Sequence, residues 1–296
     1  MLSYQHAFHA GNHADILKHS VLIQLLESLN KKDKPYTFFD IHSGSGLYNL
    51  SDIRSQKTKE AEKGIIKFSK VSKNYENYPP ALLNYYNFVS EYLKNQQYPG
   101  SPEIERCFMR TQDTLILSEL HPSEIVNLRN NMKNNSRDKN PSIQIHFRDG
   151  WEMLKALTPP KTSRGAVLID PSYEESEDYS RAADTICLVN KKWSNAVIML
   201  WYPLLAHRNN EIVQMLETIK QSVLNVNHNT QISNLQLVVN TKDSHKEVSL
   251  KDNAFVNDAP RLYGSGMLVI NSPYMLEENA LKSIEFLTNV FWKKTQ

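Results

Sequence analysis

Asp170-Pro171-Ser172-Tyr173 puts a carboxylate, free carbonyls and an aromatic ring within one short stretch, directly after the apolar run 167–169. Such a run ended by Asp-Pro reads as a buried parallel strand that stops abruptly. Pro171 has no N–H and keeps Asp170 out of helical geometry. The chain therefore leaves a sheet at a strand's carboxyl end, the edge at which open α/β sheets bind their ligands. Acceptors of this kind suit an NH2 group, and the Tyr173 ring suits the face of a flat molecule carrying it. The competing reading of these residues is an ordinary Asp-Pro turn.

Three further stretches offer ligand contacts. Asp40-Ile41-His42-Ser43-Gly44-Ser45-Gly46 follows the β-rich residues 36–39, and its glycines let backbone approach a ligand closely. A dinucleotide fingerprint needs a small residue where Asn49 stands, so the loop fits adenosylmethionine better than NAD. Glu119 ends the strand pattern 114–119 and can accept both ribose hydroxyls of a nucleoside. Asp149, after the strand pattern 143–147, can accept from an adenine amino group.

The amino-terminal residues are polar, aromatic and rich in histidine, with His6, His9, His13 and His19 close together. Asn12 followed by Asp15 fits a capping box, and Ile16, Leu17, Val21, Leu22, Leu25, Leu26 and Leu29 continue it as a helix with a broad apolar stripe. Lys18 and His19 share its first turns. His9 and His13 stand four apart, but no H-E-x-x-H or cysteine partner accompanies them, so no metal is expected.

These segments need a scaffold. A chain of 296 residues allows one large α/β domain with an insertion, or two domains. Nothing approaches the roughly 20 apolar residues of a membrane helix, and the start of the chain shows no secretory signal. Two cysteines, Cys107 and Cys187, are too few for a disulfide framework and fit a reducing cytosol. The net charge of +2 says little about partners. Local charge says more: between residues 51 and 75, Arg54, Lys57, Lys59, Lys63, Lys67, Lys70 and Lys73 outnumber Asp52, Glu60 and Glu62. This run is either a solvated helix face or a small helical insertion turned towards phosphates.

Tyr98-Pro99-Gly100-Ser101-Pro102 closes that insertion, with Ser101 expected as N-cap and Pro102 at the first helical position. Strand patterns at 36–40, 114–119, 143–147, 167–169, 196–201, 235–239 and 267–270 alternate with helical ones. This predicts an α/β, Rossmann-like fold: one mostly parallel seven-stranded sheet wrapped by helices. Residues 1–50 would carry the opening motif, first helix and first strand, 51–97 the inserted helices, and 98–296 the rest. The stretch 242–260 is the most loop-like.

With those residues assembled, the chain resembles the bacterial large-subunit ribosomal RNA adenine-N6 methyltransferase J family nearly end to end. The likeness rests on Met1-Leu2-Ser3-Tyr4-x-His6-x-Phe8-His9-Ala10-Gly11-Asn12-His13-Ala14-Asp15-x-Leu17-Lys18-His19, on Asp40-x-His42-x-Gly44-x-Gly46, and on Tyr98-Pro99-Gly100-Ser101-Pro102. Glu119-Leu120-His121-Pro122-Ser123, Asp149-Gly150, Trp201-Tyr202-Pro203 and Gly266-Met267-x-Val269-Ile270-Asn271 add to it.

The resemblance implies an S-adenosylmethionine-dependent fold with a small helical insertion, acting on one adenine of 23S ribosomal RNA in naked or early-assembly form. It sets the donor against His19, His42, Ser101, Glu119, Asp149, Gly150 and Asp170, with Gly44 in the adjoining loop. It makes Asp170 the catalytic acceptor and brings Tyr4 to the substrate adenine, with His6 and Lys18 on the substrate side. No membrane and no obligate protein partner are implied, and the cytosol is the expected location. The family motif is Asp-Pro-Pro-Tyr. Here Ser172 replaces the second proline, which keeps both acceptors and the ring but loosens the loop, so lowered or retained activity is expected. Rival readings are a DNA-binding protein serving the use of external DNA, the family's older label, and a methyltransferase acting on DNA adenine, cytosine N4 or protein glutamine.

Overall fold

The computed structural model describes residues 4–71, 78–133, 140–241 and 262–292. Met1, Leu2, Ser3, Lys73 and the loop-like stretch 242–260 lie outside the described residues.

Short apolar runs, continuous at the centre of the sheet and broken by exposed residues at its two edges, become strands. They are β1 (Thr37–Asp40), β4 (Thr114–Glu119), β5 (Ser142–Phe147), β6 (Gly165–Ile169), β7 (Val197–Leu204), β8 (Ile232–Val238) and β9 (Gly264–Ile270), in the order β5-β4-β1-β6-β7-β9-β8. Neighbours from β5 to β7 are parallel. Strand β9 runs antiparallel to both β7 and β8. Each expected strand is present. The reversal of β9 was not foreseen, nor was a separate antiparallel ribbon of β2 (Leu47–Asn49) and β3 (Gln97–Pro99). Because β1 lies between β4 and β6, the loops after these strands diverge to either side of it and open a crevice at their carboxyl ends.

Helices α1 (His13–Asn30), α4 (Pro80–Leu93), α5 (Ser101–Phe108), α6 (Pro122–Met132) and α10 (Leu276–Phe291) share one core with one face of the sheet. Helices α7 (Gly150–Leu157), α8 (Glu177–Lys192) and α9 (Asn209–Val226) share the core on the other face. Helix α1 is the centre of its layer. Ile16, Leu17, Val21, Leu22, Ile23, Leu25 and Leu26 have no exposed surface, as expected of a helix that is apolar nearly all round. Asn12 caps it by accepting from the Asp15 N–H at 2.9 Å, and Asp15 reaches back to the Gly11 N–H at 2.8 Å. Since α1 starts at His13, His9 stands outside it and the two histidines share no helical face.

One expectation is corrected at α5. Gly100 is the N-cap, and Ser101 is already the first helical residue. The Ser101 hydroxyl donates to Asp40 Oδ2 at 2.7 Å instead, because the end of β1 offers it a buried carboxylate.

Between β2 and β3 lie α2 (Ile53–Thr58), a π-helical turn (Glu62–Ile66), α3 (Lys67–Val71) and α4. The π turn seats on the loop before α1: the Ile65 N–H donates to the Gly11 carbonyl at 2.8 Å. Gly64 makes that approach possible, since a Cβ there would lie 2.1 Å from the Gly11 carbonyl oxygen. Gly64→Ala should therefore lower stability by about 1–3 kcal/mol through overpacking against backbone; a thermal melt unchanged from the parent would contradict this seating.

Candidate active site

The carboxyl ends of β1, β4 and β6, the start of α7 and the first turns of α1 and α5 converge on one cavity. Its wall holds Tyr4, His6, Lys18, His19, His42, Gly44, Ser101, Glu119, Asp149, Gly150, Asp170 and Pro171. Tyr173 lines a second cavity, whose wall also contains Tyr4, His6, Lys18, Asp170 and Ser172. The structure thus brings the residues expected to meet the donor or the substrate to one region, on either side of the loop 170–173.

A chain of polar contacts runs through the junction. Lys18 Nζ lies 2.5 Å from Asp170 Oδ2 and 2.9 Å from Asp15 Oδ1. Asp15 Oδ2 is 2.9 Å from His6 Nε2, and His6 Nδ1 is 2.9 Å from the Tyr4 hydroxyl. The Tyr4 ring stacks on His9, with centroids 5.5 Å apart. Burial alone would push the Lys18 ammonium towards neutrality, but the charges of Asp15 and Asp170 outweigh it and hold its pKa above the usual lysine value. Burial likewise raises Asp15, and the charges of His6 and Lys18 more than reverse this, leaving it well below the usual carboxylate range.

Two histidines stand neutral in the wall of the first cavity. Burial lowers His42 to about 3. Its Nδ1 accepts the Asp170 N–H at 3.3 Å, so Nε2 carries the proton, and its ring meets Trp151 edge-on at 4.8 Å. Burial also lowers His19 to about 3. Its Nδ1 is 2.9 Å from the Tyr98 hydroxyl, itself 3.0 Å from that of Tyr85. His19 Nε2 is buried without a hydrogen-bond partner, in a residue that lines the cavity.

The acids at the strand ends hold the loops. Glu119 accepts from the Gly44 N–H at 2.7 Å and the His121 N–H at 2.6 Å. Gly44 needs to be glycine: its φ is +60° and a Cβ would fall 2.2 Å from the Tyr48 hydroxyl. Gly150 admits the β1 end, since a Cβ there would sit 2.0 Å from the Ile41 carbonyl oxygen. Asp149 caps α7 through the Glu152 N–H at 3.0 Å. Asp40 stays behind the wall, accepting from Ser101 and the His42 N–H, and burial raises it to about 7. Glu105, which sequence reasoning passed over, is fully buried beside it, and burial with the Asp40 charge raises it well above its usual value. The signal for Glu105 was an acid one position after Ile104, on the inward face of a short helix.

Tyr173 takes a left-handed φ of 52°. Its hydroxyl donates to the Trp201 carbonyl at 3.0 Å, and its ring packs on Tyr179 at 4.6 Å. The ring is 5% exposed, so any base stacking on it must enter through the second cavity. Of the basic run, Lys57, Lys59, Lys63, Lys67 and Lys70 are exposed, whereas Arg54 pairs with Asp52 and Glu124. Among the described residues no group of three histidines, cysteines or acids could hold a metal.

Strand order, the reversed β9 and the loops gathered at the carboxyl edge define a Rossmann-like methyltransferase fold. The chain belongs to the family described as ribosomal RNA large subunit methyltransferase D, RlmJ, whose model matches residues 33–296. It is 35% identical over 283 residues to ribosomal RNA large subunit methyltransferase J of Escherichia coli, covering 94% of this chain and 90% of that one. The Haemophilus influenzae protein of the same name is 34% identical over 292 residues, covering 97% and 93%. The crystal structure of protein LPL1258 from Legionella pneumophila superposes with a TM-score of 0.76 at 31% identity, covering 96% of this chain and 94% of that one.

His19 gives a pH test of this geometry. Its folded pKa of about 3 lies below the ordinary 6.5, so the unfolded chain binds the extra proton and stability falls as pH drops through that interval. His19→Gln should flatten the stability–pH slope below pH 6.5 by up to about 1.4 kcal/mol per pH unit. Parallel curves for parent and variant in chemical denaturation would count against a buried neutral ring.

Proposed function

We propose that the chain transfers a methyl group from S-adenosylmethionine to N6 of a flipped-out adenine in 23S ribosomal RNA, in the cytosol. The observation that carries this reading is the position of Asp170 and Ser172, which line both cavities and so stand between a donor side and an acceptor side. The donor-side wall suits the cofactor. His19 Nε2 is unsatisfied, and Gly44, Ser101, Glu119, Asp149, Gly150 and His42 offer polar groups in the same wall. When bound there, S-adenosylmethionine supplies an electrophilic methyl group on a sulfonium centre.

The remaining work falls to the protein. An adenine N6 lone pair is delocalised into the ring and attacks poorly until the amine is held pyramidal. Lys18 engages Oδ2 of Asp170, which leaves Oδ1 to accept one N–H; the Pro171 carbonyl accepts the other. The lone pair then turns out of the ring plane, and alignment at near-attack distance supplies much of the rate. The methylated amine gives its proton to Asp170 or to water. His42 steadies this loop through the Asp170 N–H. Tyr4 offers a ring face, and Tyr173 the small part of its ring that lines the second cavity, to offset part of the cost of unstacking the base. Residues 51–97 act as an inserted subdomain on the RNA side: the exposed Lys63 and Lys67 line the second cavity, where phosphates flanking the base would pass.

Asp170→Ala should reduce labelled-methyl transfer to unmodified ribosomal RNA by roughly 100- to 1,000-fold, with S-adenosylhomocysteine binding kept in calorimetry. Transfer by the parent to duplex DNA but not to ribosomal RNA would overturn the substrate assignment.

A further inference from the structure

Arg181 carries none of the contacts considered so far, yet it lines the donor-side cavity. It stands in the second turn of α8, shortly after the loop 170–173, and reaches across to the start of α7. There its Nη2 donates to Asp149 Oδ2 at 2.7 Å. Its guanidinium lies over the Trp151 ring, 5.7 Å from the centroid. Asp149 is held from its other side, because Oδ1 accepts the Glu152 N–H. A carboxylate and a guanidinium are therefore fixed side by side, each by a different neighbour.

Neither group is exhausted by these contacts. An ionised carboxylate has about four lone-pair sites and a guanidinium has five N–H donors. Among the described residues, the hydrogen bond to Asp149 is the one Arg181 makes. The pair presents an acceptor next to a donor, and Trp151 keeps the planar donor oriented. Adenine has the complementary edge: an amino group that donates, flanked by the ring nitrogens N1 and N7, which accept.

We propose that Arg181 completes the reading of the methyl donor's adenine, donating to a ring nitrogen beside the amino group already expected at Asp149. This rests on the donor reading of the cavity given above. Arg181 is then a binding and specificity residue, remote from the reacting methyl group. A salt bridge that only tied α8 to α7 would be indifferent to the ring atoms of a bound purine, and that difference is measurable.

The test is calorimetry of the full chain, as parent, Arg181→Ala and Arg181→Lys, with S-adenosylhomocysteine and its 1-deaza and 7-deaza analogues. The parent should bind one deaza analogue about tenfold more weakly than the natural compound, the loss of one charge-assisted hydrogen bond. Arg181→Ala should bind the natural compound about tenfold more weakly and should no longer distinguish it from that analogue. Arg181→Lys, which keeps a cationic donor, should restore part of the discrimination. Equal binding of all three compounds by the parent would overturn the proposal, as would a deaza penalty that persists undiminished in Arg181→Ala. Melting of the ligand-free variants separates a folding defect from a binding one; if Arg181→Ala is unfolded, the loss or retention of discrimination in Arg181→Lys decides. Failure of the parent to bind S-adenosylhomocysteine at all would instead remove the donor reading itself, and this proposal with it.

Discussion

The charge of Lys18, enclosed between Asp15 and Asp170, is the interaction on which the arrangement of the site depends. It joins the second turn of α1 to the loop after β6, two segments far apart in sequence. The lysine and Asp15 side chains are 5% and 2% exposed, so little water is present to replace either partner. Removing one member of such a buried group typically costs on the order of 3–5 kcal/mol, because the others are left charged and undersolvated. The same contact decides which oxygen of Asp170 is occupied. Packing of α1 and orientation of the Asp170 carboxylate are thus one problem with one solution.

Around this centre, close backbone approach does what side chains cannot. Gly64 lets the insertion rest against the turn before α1, and Gly150 lets the end of β1 meet the start of α7. Glu119 then ties the glycine loop from the neighbouring strand, and His42 ties the backbone of Asp170. The neutral state of His42 matters here, since a protonated ring would have no lone pair at Nδ1 to receive that N–H.

Much of this was legible in the residues, and the failures have physical causes. Apolar runs located all seven main strands: burial on both faces leaves a continuous signal in a central strand such as β6, and the edge strands β5 and β8 keep an alternating one. Strand direction leaves none, so the reversal of β9 had to be seen. The three-residue strands β2 and β3 are too short to impose a pattern. Ser101 looked like a cap because its sequence neighbours, Gly100 and Pro102, suit a helix start; what redirected its hydroxyl was Asp40, supplied by a distant strand. The partners of Lys18 and the chemistry of Glu105 and Arg181 were hidden for the same reason. Each is defined by a partner that the fold supplies from another element.

The line of hydroxyls from Tyr85 through Tyr98 to His19 has a consequence for how this enzyme can be altered. Tyr85 belongs to α4, Tyr98 to the short ribbon and His19 to the central helix. An excised or transplanted version lacking the α4 region would leave the Tyr98 hydroxyl, the partner of the imidazole, without Tyr85. Helix α4 therefore braces, through Tyr98, the wall of the first cavity in which His19 stands.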